Sequence, residues 1–317
     1  MLAYSPVAMD RKSDKLRRPL LSADRQGATR IQNNDRDFQE TTLSISSPQL
    51  ITISVGFSDG IADIRLNRAE RSNAMNEAMW QELRTAFIWA DATPAVRVVI
   101  LSGEGRNFCA GIDLAMLGGV AEAVANKDPA RSREALRHLI LDLQDCLSRI
   151  ERCRKPVLAA INGACVGGAV DLAVCCDMRY AASGAQFSVR EIDVGMTADV
   201  GTLQRLPRLV PDGMVRELAY TGRNVEADEA QRIGLVNRVF DTPQALAEGV
   251  RQIAQGIAAK SPLAIRGTKE MLNYGRDHSV ADGLNYVATW NAAMLMSADL
   301  DESMSALREK RLPKFAD

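Results

Sequence analysis

The sequence predicts an α/β core followed by a helical region. Three observations carry this. Ahead of Pro207, a unit of apolar strand, glycine-bearing turn and helix recurs. From Pro207 onward, apolar residues fall at intervals of three and four. The chain has 317 residues, 46% hydrophobic and 25% charged, enough to bury a large core in ordinary globular proportions. The unit recurs too irregularly for a solenoid of fixed period.

The elements follow in order. "ITISVGFSDGIADIRLNR" holds two short alternating runs around Asp59-Gly60, which predicts a hairpin. "SNAMNEAMWQELRTAFIWADA" carries helical spacing, with Ser72 or Asn73 as its natural cap. "VRVVILSG" (96–103) is β-branched and apolar throughout, as a strand covered on both faces would be. "REALRHLILDLQDCLSRIERC" reads as a long amphipathic helix that Pro156 prevents from continuing. "PVLAAING" (156–163) repeats the strand-and-glycine theme, and "VGGAVDLAVCCDMRYAA" continues as helix then strand. Beyond Pro207 five segments read as helices. In the last, Tyr286, Trp290, Met294 and Met296 form a stripe of the kind that serves a core or a subunit contact.

Composition removes several classes of function. The net charge of −1 gives no electrostatic footprint for nucleic acid. No apolar stretch reaches membrane-spanning length. Six cysteines lack zinc-binding spacing, and with two histidines available a His-rich metal site is not expected; the thiols read as reduced and packed. Residues 1–47 stand apart as polar, mixed in charge and aperiodic. Their arginines would suit a transit peptide, but Asp10, Asp14, Asp24, Asp35 and Asp37 do not. The chain ends Lys-Phe-Ala-Asp rather than Ser-Lys-Leu. The expectation is a flexible extension on a cytoplasmic protein.

Two glycine turns follow the predicted strands: "NFCAGIDL" (107–114) and "GACVGGAVDL" (163–172). Such turns let backbone approach a ligand closely, and two after neighbouring strands could each give one N–H to a shared oxyanion. Tight packing alone would also explain either one, and neither matches a dinucleotide or phosphate-loop fingerprint. Asp171 falls in the first turn of the helix after the second turn, where it would at least suit the helix dipole. Further on, "VREIDVGMTADVGTLQRLP" sets Glu191, Asp193 and Asp199 among apolar residues, with Arg190 and Arg205 beside them. Singly, each acid reads as a solvated or paired surface charge. Together, Asp171, Glu191 and Asp199 beside two candidate oxyanion donors suggest acid–base chemistry on a carbonyl compound.

The pairing of "CAGIDL" with "GGAVDL", and the opening "NRAERSNAMN" at 67–76, resemble the crotonase superfamily of acyl-CoA enzymes, the enoyl-CoA hydratase/isomerase family. The resemblance spans about residues 50–317. Ala69 stands where proline is common, and Ala169 replaces the last glycine of a triple-glycine turn. The resemblance implies a crotonase (ClpP-like) fold of ββα units, with residues 48–255 as α/β core and 256–317 as a helical trimerisation region. It also implies a hexamer built as a dimer of trimers. It further implies that the N–H groups of Ile112 and Gly168 hold a thioester oxygen, and that Ala110, Gly111, Ile112, Asp113 and Leu114 line an acyl-CoA site.

Asp171 and Glu191 match the two glutamates that activate water in the hydratases of that family, but the first is one methylene shorter. Asp199 stands where hydratases usually have glycine. The Asp/Glu/Asp set, with "DVGTLQRLP" and "RDHSVADGLNYVATWN", is more similar to the Δ3,5-Δ2,4-dienoyl-CoA isomerases. That likeness implies a 3,5- to 2,4-dienoyl-CoA isomerisation with Glu191 and Asp199 as proton carriers and Asp171 in support. No metal or separate cofactor is implied, because coenzyme A belongs to the substrate. Two other readings compete: a 2-enoyl-CoA hydratase using Asp171 and Glu191 on one water, and a non-catalytic acyl-CoA-binding protein.

Overall fold

A computed structural model describes residues 47–316, all within one contiguous unit, so the expectations for residues 1–46 lie outside the described residues. Strands β1 (Ile53–Ser58) and β2 (Ile61–Leu66) form the expected hairpin. Asp59 and Gly60 close it at φ 53° and 76°, the two left-handed residues of the turn that matches strand twist.

The following helix α1 (Glu77–Ala92) starts later than expected. Its cap is Asn76, which accepts from the Met79 N–H, and neither Ser72 nor Asn73 fills that role. Both sit at positive φ (51° and 55°), in a turn that the Asn73 side chain holds in place. Strand β3 (Val98–Gly103) and helices α2 (Leu114–Ala123) and α3 (Pro129–Arg152) come next, the last capped by Asp128. Strands β4 (Val157–Ile161) and β5 (Ala164–Val166) lead into α4 (Gly168–Val174) and β6 (Met178–Ala182).

Strand β7 (Gln186–Ser188) is followed by helices α5 (Thr202–Arg205) and α6 (Asp212–Thr221), then strand β8 (Val225–Glu226). Helix α7 (Ala227–Arg232), strand β9 (Arg238–Phe240) and four helices complete the chain: α8 (Pro243–Ala258), α9 (Pro262–Gly275), α10 (Val280–Met294) and α11 (Ala298–Glu309).

Six strands form the main sheet in the order β1-β2-β3-β4-β6-β9, antiparallel at β1–β2 and parallel from β2 to β9. Both faces are covered. Val99, Leu101, Val157, Ala159 and Ile161 face the core shared with α1, α3 and α4. Their neighbours Val98, Ile100, Leu158 and Ala160 face α8 through Leu246, Val250 and Ala254. Double coverage explains why these strands read as unbroken apolar runs rather than alternating ones. Full burial of each such Val, Leu or Ile side chain is worth roughly 1.5–3 kcal/mol. A second, smaller sheet, β5-β7-β8, stands at the start of α4.

The region past Pro207 is not purely helical, since β8 and β9 add to the two sheets. Lys269 on α9, 7% exposed, ties that helix to the core by bonding Asp177 at 2.6 Å and the Lys155 carbonyl at 3.0 Å. The Met and aromatic stripe divides. Tyr286 lies against Tyr274, and Trp290 crosses α9 at Gly267, whereas Met294 and Met296 are exposed. All six cysteines are buried and free. Among the described residues, no helix is long and apolar enough to cross a membrane, and no cluster of His, Cys, Asp and Glu is placed to hold a metal ion.

Candidate active site

The two glycine turns meet. Strands β3 and β4 are hydrogen-bonded neighbours, so the chain leaves both at the same edge of the sheet. A short parallel ladder then joins the turns: the Cys109 N–H donates to the Ala164 carbonyl (2.9 Å), and the Val166 N–H to that of Cys109 (3.2 Å). The "NRAERSNAM" segment lies alongside and makes a second ladder with the first turn. Ala110 donates to the Ser72 carbonyl, Met75 to that of Gly111, and Asp113 to that of Met75, all within 2.8–3.0 Å.

Asn73, fully buried, donates to the carbonyls of Glu104 and Asn107 and accepts from the Arg68 N–H. Asn107 in turn donates to Ser72 Oγ and accepts from the Ala164 N–H. Asn73 and Asn107 are positioning residues that sequence reasoning passed over, because their partners lie about thirty or more positions away. The one hint was the local pattern itself, short amides amid a turn with no helix to cap.

This frame leaves two donors unused. Among the described residues, neither the Ile112 N–H nor the Gly168 N–H donates to any backbone or side-chain acceptor. A Cβ on Gly168 would stand 3.7 Å from the Ile112 nitrogen, so the two groups are neighbours. Gly111 is held at φ 92°, and a Cβ there would meet the Val166 carbonyl at 2.6 Å. Glycine is therefore required for the turns to approach, and two adjacent free N–H groups are a ready site for an anionic oxygen.

The acids gather beside them. Glu191 opens a 3-10 turn after β7, and its Oε1 would lie 3.4 Å from a Cβ on Gly167, the residue before the second donor. Asp171, on α4, has no exposed surface, and its Oδ1 accepts from the Thr202 N–H at 2.5 Å. Asp199 lies in the loop from that 3-10 turn to α5, with the side chains of Ala198 and Val200 buried on either side. Asp171 Oδ2, Glu191 Oε2 and Thr202 Oγ1 are buried without partners.

Burial is the largest influence on all three carboxyls and pushes each upward. Glu191 rises to about 7, raised also by Asp171 and then Asp199. Asp171 rises to about 6 through burial, helped by Asp199 and opposed by the Thr202 N–H that bonds it. Arg205 opposes the rise at Asp171 without cancelling it. Arg190 bonds Ser188 and Asn224, while Arg205 pairs with Glu151 at 3.0 Å. Burial first, and repulsion among the acids after it, therefore bring Glu191 close to neutral pH.

Other predicted residues have quieter positions. Asp193 is exposed and 3.6 Å from Arg190, away from the cluster's chemistry. Asp113 caps α2 at the Ala115 N–H and pairs with Arg68 at 3.0 Å, which holds its carboxyl below the usual range. Ala110 is exposed at the turn's rim, and Leu114 is 72% exposed at the start of α2. Two clefts elsewhere, of about 720 and 480 Å³, are not lined by Ile112, Gly168 or any of the three acids.

Comparison with known proteins agrees with the geometry. Residues 56–317 match the enoyl-CoA hydratase/isomerase family. The peroxisomal Δ3,5-Δ2,4-dienoyl-CoA isomerase of Arabidopsis thaliana is 48% identical over 252 residues, covering 79% of this chain and 91% of that protein. The mitochondrial enzyme of the same name from Homo sapiens is 44% identical, covering 79% and 77%. The crystal structure of an enoyl-CoA hydratase from Bacillus anthracis superposes with a TM-score of 0.77 at 33% identity, covering 84% and 99%. The peroxisomal and mitochondrial relatives overturn the cytoplasmic placement expected from the sequence. That expectation weighed charge and terminal residues, whereas receptors read organelle addresses that leave little trace in bulk composition.

Proposed function

The chain belongs to the enoyl-CoA hydratase/isomerase family, and from that premise we propose that it isomerises 3,5-dienoyl-CoA to 2,4-dienoyl-CoA. The observation that carries this reading is a third carboxyl, Asp199, whose charge raises both Asp171 and Glu191 beside two free N–H groups.

The chemistry follows from the charges. A proton at carbon 2 of a 3,5-dienoyl thioester becomes acidic only when the enolate oxygen is stabilised. The Ile112 and Gly168 N–H groups supply that, an effect worth about 3 kcal/mol per donor in acyl-transfer enzymes. The anion spreads over carbons 2, 4 and 6, and protonation at carbon 6 leaves double bonds at 2 and 4. One carboxylate takes the first proton and one carboxylic acid gives the second, so the pair must hold a single proton between them. Glu191 and Asp199 are that pair, and Asp171 supports them. After each turnover the proton returns between the two carboxyls. No electrons are gained or lost, so the step needs no cofactor beyond the coenzyme A of the substrate.

Hydration is the weaker reading. It needs only Asp171 and Glu191 on one water and leaves Asp199, which raises both of them, without a role. The test is to offer 3,5-dienoyl-CoA and 2-enoyl-CoA in oxygen-18 water. The proposal expects the absorbance of a conjugated 2,4-dienoyl thioester from the first, with no label in the product. Label entering at the rate of turnover would move the assignment to hydration.

The same reading includes a hexamer of two trimers. Val280, Leu284, Met296 and Leu307 on the last two helices and their linker are 64–90% exposed, and so large an apolar surface supports burial against further copies of the chain.

A further inference from the structure

The carbonyl of Asp199 is held from across the fold. Gln144, half-buried on α3 between Leu143 and Asp145, donates from Nε2 to that oxygen at 2.6 Å, over 55 residues of sequence. It is the one hydrogen bond that the oxygen receives among the described residues.

The loop needs such a hold. Residues 196–200 lie in neither helix nor strand. Their backbone is tied at one end, where the Met196 N–H donates to the Glu191 carbonyl, and just beyond the other, where Thr202 donates to Asp171. Ala198 and Val200 bury small side chains in the core, but packing does not confine the outer side. There the loop borders a cleft of about 400 Å³ lined by Gln144, Ser148, Val200, Gly201 and Arg205. Without the Gln144 amide, the segment bearing Asp199 has room to relax outward.

We propose that Gln144 is a positioning residue for Asp199: its amide pins the Asp199 carbonyl and so fixes where that carboxyl stands relative to Glu191. This rests on the reading of Asp199 as a proton carrier. The two proton transfers occur at carbons four atoms apart on a rigid conjugated chain, so both carboxyls must be in register with it at once. A misplacement of about 1 Å from a residue outside the chemistry costs on the order of 100-fold. The amide donates to the Asp199 carbonyl, so on this proposal its effect falls on kcat rather than on KM.

The experiment is a double-mutant cycle on diene isomerisation, using Gln144→Ala and Asp199→Asn. Gln144→Glu serves as a second variant, because it keeps the side chain's shape and helix propensity while replacing the donor by a carboxylate. Either Gln144 variant should lower kcat by about 10-fold to 100-fold with KM within about 3-fold of the parent. In the Asp199→Asn background, Gln144→Ala should change kcat by less than about 3-fold, since the group it positions no longer carries a proton. An equal loss in both backgrounds would mean general damage to the fold and overturns the proposal. So does a Gln144→Ala enzyme with normal kcat when Asp199→Asn is impaired. Full activity in Asp199→Asn itself would instead remove the role of Asp199, and the proposal with it.

Discussion

Replacing Asp171 by asparagine makes the electrostatics of the site measurable as stability. The carboxyl is fully buried, and burial pushes it up to about 6. In an unfolded chain an aspartate titrates near about 3.9. The folded protein therefore favours the protonated acid. That preference is fully present below about pH 4 and is lost as pH rises through about 6. The gap of about two pH units, at roughly 1.4 kcal/mol per unit, gives roughly 3 kcal/mol of stability that the wild type loses across this window. Asparagine has no proton to lose, and its Oδ1 can still accept from the Thr202 N–H. The stability of Asp171→Asn minus that of wild type should thus rise by roughly 2–3 kcal/mol between pH 4 and pH 8, most of it below about pH 6. Urea unfolding at fixed protein concentration across that range reads it directly. A second readout follows, because Asp171 is one of the charges that raise Glu191. Without it the Glu191 carboxyl falls, and the alkaline limb of isomerase activity moves to lower pH. A stability difference that stays flat with pH would falsify the assignment of Asp171 as a buried, charge-stressed acid.

Two further outcomes are expected. Gly111→Ala forces a Cβ against the Val166 carbonyl at positive φ, so the two N–H groups can no longer converge; kcat should fall about 100-fold or more, as for loss of an oxyanion donor. A variant that keeps its far-ultraviolet circular dichroism and turns over within a few-fold of wild type would refute the shared oxyanion site. In sedimentation at micromolar concentration the protein should run as a hexamer, and a monomer would show that the exposed apolar helices do not pair.

What was legible in the sequence had local causes. Asp59-Gly60 announced a hairpin because two successive left-handed residues favour those side chains. Strands β3 and β4 were visible because a doubly covered strand is apolar at every position. The three acids stood out because carboxyls among Val, Ile, Ala and Gly need an explanation. What stayed hidden was short or distant. Strands β5, β7, β8 and β9 have two or three residues each, too few to show alternation. The cap of α1 was misplaced onto Ser72 or Asn73 because several cap-forming residues crowd together there, and tertiary bonds to Asn73 decided among them. The partnership of Asp171 with Thr202 joins positions 31 apart, and nothing in the intervening chain encodes it. Of the two arginines beside the acids, Arg190 reaches its near neighbour Asp193 at 3.6 Å, whereas Arg205 pairs with the distant Glu151, which adjacency does not reveal.

The two N–H groups proposed to hold the thioester oxygen are main-chain groups, and on that proposal what selection must hold fixed separates from what it can vary. An N–H at position 112 is present whatever side chain stands there, provided the glycine before it permits the turn. The isoleucine at 112 is thus free to drift under other pressures without touching the stabilised enolate. The acids obey the reverse rule, since a side chain is the whole of their contribution. A scaffold built this way can exchange its proton carriers, and with them the reaction, while the means of activating a thioester is inherited intact.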